Sequence, residues 1–527
     1  MTIDDASGPP ATIPAVLRRA AGAFGADEAV VDGEVRWTWR DLAHRSDEVA
    51  RALLASGVVP GDRVAVWAPN SAAWVALSFG VYSAGAVLVP INTRFKAEEA
   101  GHVLRTSGAR LLFGVTELLG TDPLSSLDKG PRLDSLGERV VLAGPVPEGM
   151  VGWSEFLTRA GAASIEEVLA REAGIRGDST SDIIFTSGTT GRPKGAELSH
   201  GASVRTYAIW SETVGLRHGD RYLVAYPFFH TAGLKSAILA CALAGATIVP
   251  LAVFDVDEAM DLVVRERITM LPGPPTVFQS IWSHPRFETF DLSSLRLSVT
   301  GAASVPVEVV RRMREVMGFE TVVTGYGLTE TTGTVSMCRH DDPPEVIATT
   351  VGRPLPGVEV RIVGPDGPVG QGETGEIVVR GFNVMKGYFD DPVATAEAID
   401  ADGWLATGDI GHVDERGNLH ITDRKKDMFI VGGFNAYPAE IEGIMLEHPS
   451  VAQVAVIGVP DERLGEVGLA FVVPRPGLEL DPVDLLAWCA EHMANYKVPR
   501  SVRLIDALPL TPSGKVTKFA LRDLLGL

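Results

Sequence analysis

Two stretches of this chain, Ala84-Gly85-Ala86-Val87-Leu88-Val89-Pro90 and Ala244-Gly245-Ala246-Thr247-Ile248-Val249-Pro250, are near copies of one another. Each joins an AGA turn to a short apolar run closed by proline, and each follows a helical apolar run. A helix passing through a small-residue turn into a β-branched strand is half of a parallel α/β unit. Two copies predict two similar layers, each a mostly parallel sheet covered by helices. The first copy sits inside a segment with no charged residue from Ala72 to Ile91, long enough for a membrane span. Gly80, Gly85 and Pro90 interrupt it, and Ser78, Tyr82 and Ser83 are polar, so it reads as a buried helix and strand.

The 527 residues are enough for two or three domains. With 46% apolar and 22% charged residues, the composition is that of a soluble globular protein. A net charge of −20 argues against nucleic acid or an anionic membrane as partner. Any anionic ligand therefore needs a local concentration of positive charge. Cys241, Cys338 and Cys489 are far apart and fit no disulfide or metal pattern, which suits a reducing, cytoplasmic setting. The acidic N-terminus MTIDDASGPPATIP lacks the basic and apolar regions of a signal peptide.

The segment Thr186 to Gly195, TSGTTGRPKG, follows the apolar run Ile183-Ile184-Phe185. Gly188, Gly191 and Gly195 permit close ligand approach. Its hydroxyls, bare N–H groups and Lys194 can hold a polyphosphate, and a unit pair at about 4 Å is worth roughly 4 kcal/mol at an effective dielectric of 20. The order of residues is not that of a P-loop, so a different nucleotide chemistry is expected. The plainer alternative is a polar strand-to-helix turn.

Two more strands end in small-residue turns: Leu297-Ser298-Val299-Thr300 before Gly301-Ala302-Ala303, and Thr321-Val322-Val323 before Thr324-Gly325-Tyr326-Gly327-Leu328-Thr329-Glu330. Ligands of α/β folds bind at the carboxyl ends of strands, and three such ends can converge on one nucleotide. Residues 115–180 are poorly patterned and read as connecting structure. Tyr226-Pro227-Phe228-Phe229-His230-Thr231-Ala232-Gly233 leads into an apolar helix, with Lys235 at its start. Lys235 reads either as a lysine snorkelling from a helix end or as a polar contact in a substrate pocket. His230 is either a packed histidine or a pocket wall.

Past residue 350 the pattern changes. Glu359–Val363 and Glu376–Arg380 alternate like antiparallel strands, and GWLATGD at 403–409 closes a small β subdomain. The charged segment 421–427, ITDRKKD, reads as a linker. A compact α+β piece follows, with a helix opening at Tyr437-Pro438, strands at 454–459 and 469–473, and a helix capped by Asp481-Pro482. The tail carries Pro512-Ser513-Gly514-Lys515.

The motifs TSGTTGRPKG, YGLTE, GEIVVRG, GWLATGD, DRKKDMFIVGGFNAYPAEIE and PSGK, in this order over nearly the whole chain, resemble those of the acyl-adenylate-forming superfamily. That superfamily includes acyl-CoA synthetases, the adenylation domains of peptide synthetases and firefly luciferase. The resemblance implies a large N-terminal adenylation domain (1–422), a hinge (423–427) and a mobile C-terminal lid (428–527). Carried over by position, Thr186, Ser187, Gly188, Thr189, Thr190, Gly191 and Lys194 would cradle the β- and γ-phosphates. Gly301, Ala302 and Ala303 would line the adenine, with Tyr326 stacked on it inside the Gly325, Gly327 and Leu328 turn. Thr329 would touch the α-phosphate and Glu330 would hold Mg²⁺. Asp409, supported by Arg424, would take the ribose hydroxyls. His230, Thr231, Lys235 and Gly325 would form the acyl pocket. Lys426 stands at the hinge position, where some relatives have Asp. Gly432, Gly433 and Phe434 would pass the pantetheine of CoA, and Lys515 matches the family's catalytic lysine.

The implied chemistry is a carboxylate attacking the α-phosphorus of ATP, release of pyrophosphate, and capture of the acyl-adenylate by the CoA thiol. Two anions must meet, so charge neutralisation and positioning are the main tasks. GGFNAYPAEIE and PFFH resemble the fatty-acyl branch. Together with LPGPPT and MCR they are also similar to actinobacterial synthetases that activate a propanoate chain on degraded sterol rings, where Lys235 would contact a ring oxygen. The expected partners are ATP, Mg²⁺, CoA and a small carboxylic acid, with a homodimer left open. The rival readings are an adenylating enzyme that loads a carrier protein, and a catalytically silent binding protein.

Overall fold

The computed structural model describes residues 10–526 apart from 187–192, 302–304, 306, 366, 425–426, 432–433, 462–463, 494 and 511–515. An eight-stranded sheet forms the first layer, in the order Gly387–Tyr388, Lys194–Ser199, Thr180–Thr186, Val87–Pro90, Arg63–Trp67, Leu111–Val115, Glu138–Ala143, Val151–Gly152. From Thr180–Thr186 to Val151–Gly152 every pairing is parallel. The inner strands Arg63–Trp67 and Leu111–Val115 carry apolar residues on both faces, as a sheet covered on both sides requires. Val64, Val66, Leu111 and Phe113 enter one core cluster, while Ala65, Trp67 and Leu112 enter another.

The second layer pairs Arg221–Val224 and Glu28–Asp32 in parallel with Thr247–Pro250, and it carries the second AGA unit. Gly85 and Gly245 occupy the same left-handed conformation, at φ +74° and +73°, which glycine adopts without strain. The two near-identical stretches thus turn in the same way in two different sheets. Parallel bridges through Met270 join this layer to Leu297–Thr300, which pairs in parallel with Thr321–Tyr326. A five-stranded antiparallel sheet follows, containing Val358–Gly364, Gly375–Gly381, Leu405–Val413 and Leu419–Arg424.

Three expectations are corrected. The charged segment 421–427 is not all linker, because its first four residues belong to the strand Leu419–Arg424 and pair with Leu405–Val413. Residues 115–180 are not mere connection, because Glu138–Ala143 and Val151–Gly152 extend the large sheet, with Trp153–Thr158 packed beside them and Ile165–Gly174 against the helices Trp39–Ala55 and Ala72–Ser83. The motif at 186–195 does not run from strand to helix. Thr180–Thr186 pairs antiparallel with Lys194–Ser199, and Thr186 and Lys194 are register partners. The uncharged stretch forms the buried helix Ala72–Ser83 and the strand Val87–Pro90. Among the described residues no helix is long and apolar enough to cross a membrane.

The C-terminal part has its own sheet, with Val451–Asp461 and Gly465–Pro474 at its centre. Alternation sends Val454 and Val456 to one core and Ala455 and Ile457 to another. Pro438–Met445 and Pro482–His492 cover the first face, and Lys518–Asp523 contributes Leu521 to the second.

Candidate active site

Thr186 ends its strand and Lys194 begins the partner strand, so the hydroxyl-rich motif starts and finishes at one place. Glu330 lies in the short turn Thr329–Thr331. Its Oε1 accepts a hydrogen bond from the Thr186 hydroxyl at 3.1 Å and another from the Tyr388 hydroxyl at 3.0 Å. The Met385 N–H donates to the Glu330 carbonyl at 2.8 Å, drawing the 385–388 segment against the same turn. The Lys194 ammonium lies 5.3 Å from the centre of the Tyr388 ring, within cation–π range. Burial, reinforced by Glu330, holds the Tyr388 phenol well above its ordinary pKa, so it stays a donor. Tyr388 escaped the sequence reading; the signal was an aromatic residue beside glycine in KGYFDDP.

Gly301 and Gly325 adjoin because Thr300 is the register partner of Thr324. A Cβ on Gly301 would sit 3.5 Å from the Gly325 carbonyl. Tyr326 ends its strand, and its hydroxyl donates to Asp409 Oδ2 at 2.5 Å. Asp409 is only 6% exposed and is the register partner of Arg424 in the antiparallel sheet. Gly327 has no room for a side chain, since a Cβ there would lie 2.3 Å from the Gly333 carbonyl oxygen. Leu328 donates its N–H to the Thr331 hydroxyl at 3.1 Å, which tightens the turn bearing Thr329 and Glu330.

On the other side of this turn lies Gly333, at φ +91°. A Cβ on it would meet the Tyr207 hydroxyl at 2.4 Å and the Thr231 hydroxyl at 3.1 Å. Thr231 and Tyr207 are buried. His230 is exposed and caps the following turn, accepting the Ala232 N–H on Nδ1 at 3.2 Å, so the packed-histidine reading is set aside.

Lys235 is also placed otherwise than expected. It is 1% exposed, in a π-helical turn Leu234–Leu239, and its ammonium pairs with Asp182. Neither a snorkelling lysine nor an ammonium turned toward a ligand describes it. Ser187, Gly188, Thr189, Thr190, Gly191, Ala302, Ala303, Lys426, Gly432, Gly433 and Lys515 lie outside the described residues, as do the side chains of Arg424 and Phe434.

The described groups fit a polyphosphate and a hard cation. Glu330, Thr186 and Tyr388 offer only oxygen atoms, the donor type Mg²⁺ takes. Among the described residues no group of three His, Cys, Asp or Glu could form an all-protein cage. One carboxylate shared with substrate phosphates is the arrangement Mg²⁺ adopts in phosphoryl-handling sites.

With strand ends, carboxylates and basic residues in this arrangement, the chain belongs to the AMP-binding enzymes. The family matches residues 17–389, and the AMP-binding enzyme C-terminal domain matches residues 440–515. The chain is 50% identical to a 3-[(3aS,4S,7aS)-7a-methyl-1,5-dioxo-octahydro-1H-inden-4-yl]propanoyl:CoA ligase of Rhodococcus jostii (strain RHA1), over 98% of this chain and 99% of the relative. A ligase of the same name from Mycobacterium tuberculosis is 48% identical, over 97% and 99%. Among solved structures, ATP-bound MatB from Rhodopseudomonas palustris superposes with a TM-score of 0.84 at 30% identity, covering 97% of this chain and 99% of that one.

Proposed function

We propose that this chain is an ATP-dependent, AMP-forming acyl-CoA ligase whose acid is a propanoate borne on a fused, oxygenated ring. The observation that carries the reading is that Glu330, bonded by Thr186 and Tyr388, follows by four residues Tyr326, whose hydroxyl bonds Asp409. The near-full-length similarity to two indenyl-propanoate ligases supports the acid class.

The hydroxyls and N–H groups of Thr186, Ser187, Gly188, Thr189, Thr190 and Gly191, with Lys194, hold the β- and γ-phosphates. Asp409, fixed by Tyr326, accepts from the ribose hydroxyls, and the Tyr326 ring lies along the adenine beside Gly301, Ala302 and Ala303. Glu330, with Thr186 beside it, would hold Mg²⁺, which when bound neutralises phosphate charge. Thr329 orients the α-phosphate. Lys515 neutralises the approaching carboxylate and the α-phosphate together, so the acyl oxygen attacks phosphorus as pyrophosphate leaves. The part from 428 onward then turns about Lys426, withdraws Lys515, and brings Gly432, Gly433 and Phe434 to the pantetheine. Thr231 and Tyr207 face Gly333 beside the Glu330 turn and form the polar end of the acid pocket.

The test is thioester formation across a panel of acids, from short and long fatty acids to bicyclic diketone propanoates, each with ATP, Mg²⁺ and CoA. The expected result is a clear preference in kcat/KM for the ring-bearing propanoates. Pyrophosphate release with no CoA thioester from any acid would overturn the acceptor, and preference for a linear chain would overturn the acid class.

A further inference from the structure

Asp182 is a charged residue within a largely buried strand, 0% exposed. The sheet ladder holds it from both flanks, through Leu88 on one side and Leu198 on the other. Its carboxylate accepts from the Tyr82 hydroxyl at 2.5 Å, from the Ser181 hydroxyl at 2.5 Å, and from the Lys235 ammonium. The Lys235 ammonium also stands 5.3 Å from the Tyr82 ring centre. The nearby His200 ring packs edge-on against Tyr82. A strand, the buried helix Ala72–Ser83 and the segment after Thr231 therefore meet at one buried ion pair.

A buried pair of this kind adds little net stability, because desolvation offsets the attraction; apolar residues of similar volume often serve as well. Its presence calls for a reason other than stability. Two placements supply one. Asp182 lies four residues before Thr186, whose hydroxyl bonds Glu330. Lys235 lies four residues after Thr231, which with Tyr207 crowds Gly333 and is the residue proposed above for the polar end of the acid pocket. Lys235 itself lies in Leu234–Leu239, which is wound as a π-helix, a rare form frequent at functional sites.

We propose that the Asp182–Lys235 pair is a positioning device, resting on the ligase reading above, that fixes the acid-pocket wall at Thr231 relative to the strand delivering the phosphate site. The strand end is clamped by its ladder on both sides. The helical end is the one that gives when the pair is removed. The acid side of the site is therefore the side that loosens, and the ATP side is not. This is a separation of effects that a purely structural pair would not produce.

The experiment uses the full chain and carboxylate-dependent pyrophosphate release, with KM for acid and for ATP measured separately, alongside thermal melting. Single substitutions leave one buried charge unpaired and are expected to unfold readily. The informative variant is the double D182L/K235M, with D182N/K235Q as a second pair that removes both charges and, because Gln is one atom shorter than Lys, the link itself, while keeping polar side chains of similar size. Either folded double variant is expected to raise the KM for the ring-bearing acid at least tenfold while the KM for ATP stays within twofold. An unchanged acid KM in a folded double variant, or equal rises for both substrates, overturns the proposal and leaves the pair as core. Failure of both doubles to fold also overturns it, since the pair is then needed for the fold itself. Absence of pyrophosphate release by the unmodified protein with every acid removes the ligase reading and the proposal with it; activity in the unmodified protein separates the two failures.

Discussion

The Tyr326 hydroxyl donates to Asp409 Oδ2 at 2.5 Å, tying the end of the strand Thr321–Tyr326 to the middle of a strand in the five-stranded antiparallel sheet. The aromatic platform and the acidic acceptor proposed for one nucleoside are thus fixed to each other before any ligand arrives. Hydrogen bonds to a charged group contribute about 1.5–3 kcal/mol. Tyr326→Phe keeps the ring and removes the bond. It is expected to raise the KM for ATP by about tenfold or more with little change in the KM for the acid, measured by pyrophosphate release.

Glu330 takes two hydroxyl donors on one oxygen. Tyr388→Phe removes one of them and frees the carboxylate to rotate. The Mg²⁺ concentration needed for half-maximal adenylation should rise several-fold, and chelation of Mg²⁺ should abolish adenylation in both proteins. An unaltered Mg²⁺ titration would separate Tyr388 from the cation site.

Gly327 faces the Gly333 carbonyl, and a Cβ would approach it to 2.3 Å. Because the obstacle is backbone, it cannot rotate away. Gly327→Ala is expected to cost about 1–3 kcal/mol, the range for overpacking, and to lower adenylation further by shifting the turn that carries Thr329 and Glu330. Denaturant unfolding measures the first effect and initial rates the second.

His200 is buried and accepts the Ile13 N–H on Nδ1 at 3.3 Å, so its imidazole is neutral. Burial, with Lys235 adding to it against the pull of Asp182, lowers its pKa from 6.5 to about 3. The unfolded chain therefore takes up a proton near pH 6.5 that the folded chain refuses. Stability from this group is complete above pH 6.5 and declines as pH falls toward 3, by at most about 1.4 kcal/mol per pH unit. Urea unfolding at pH 7, 6 and 5 should show the slope, and His200→Gln should reduce it.

The proposed mechanism gives Lys515 a part in adenylation alone. Lys515→Ala is expected to lower pyrophosphate release by at least a hundredfold and to leave thioester formation from a supplied acyl-adenylate within a few-fold of the unmodified protein. Equal loss in both half-reactions would contradict the two-state lid.

Much of this architecture was legible because it is local. The AGA turns, the apolar strands before Thr186, Gly301 and Gly325, and the Asp481-Pro482 cap each announce themselves within a few residues. Legibility failed where partners are distant. Nothing near Asp182 names Lys235, or near Glu330 names Tyr388, because those contacts exist only after the chain has folded. Lys235 misled for a related reason: a lysine at a helix start reads as a surface group unless its buried counter-ion is known. The hairpin register of Thr186 with Lys194 was hidden because a glycine-rich turn looks alike before a helix or a strand.

The two cores of the C-terminal part draw their residues from Phe429 onward, while the large core ends at Leu419. Selection can therefore revise the two parts at different tempos. On the roles proposed above, lineages that acquire a new acid need alter only the surroundings of Tyr207 and Thr231, and the segment proposed to meet the thiol can be inherited unchanged. Chimeras that exchange residues 428–527 between relatives should consequently keep the acid choice of the N-terminal parent, so new members of such a series can arise by recombination at one junction rather than by gradual redesign of the whole chain.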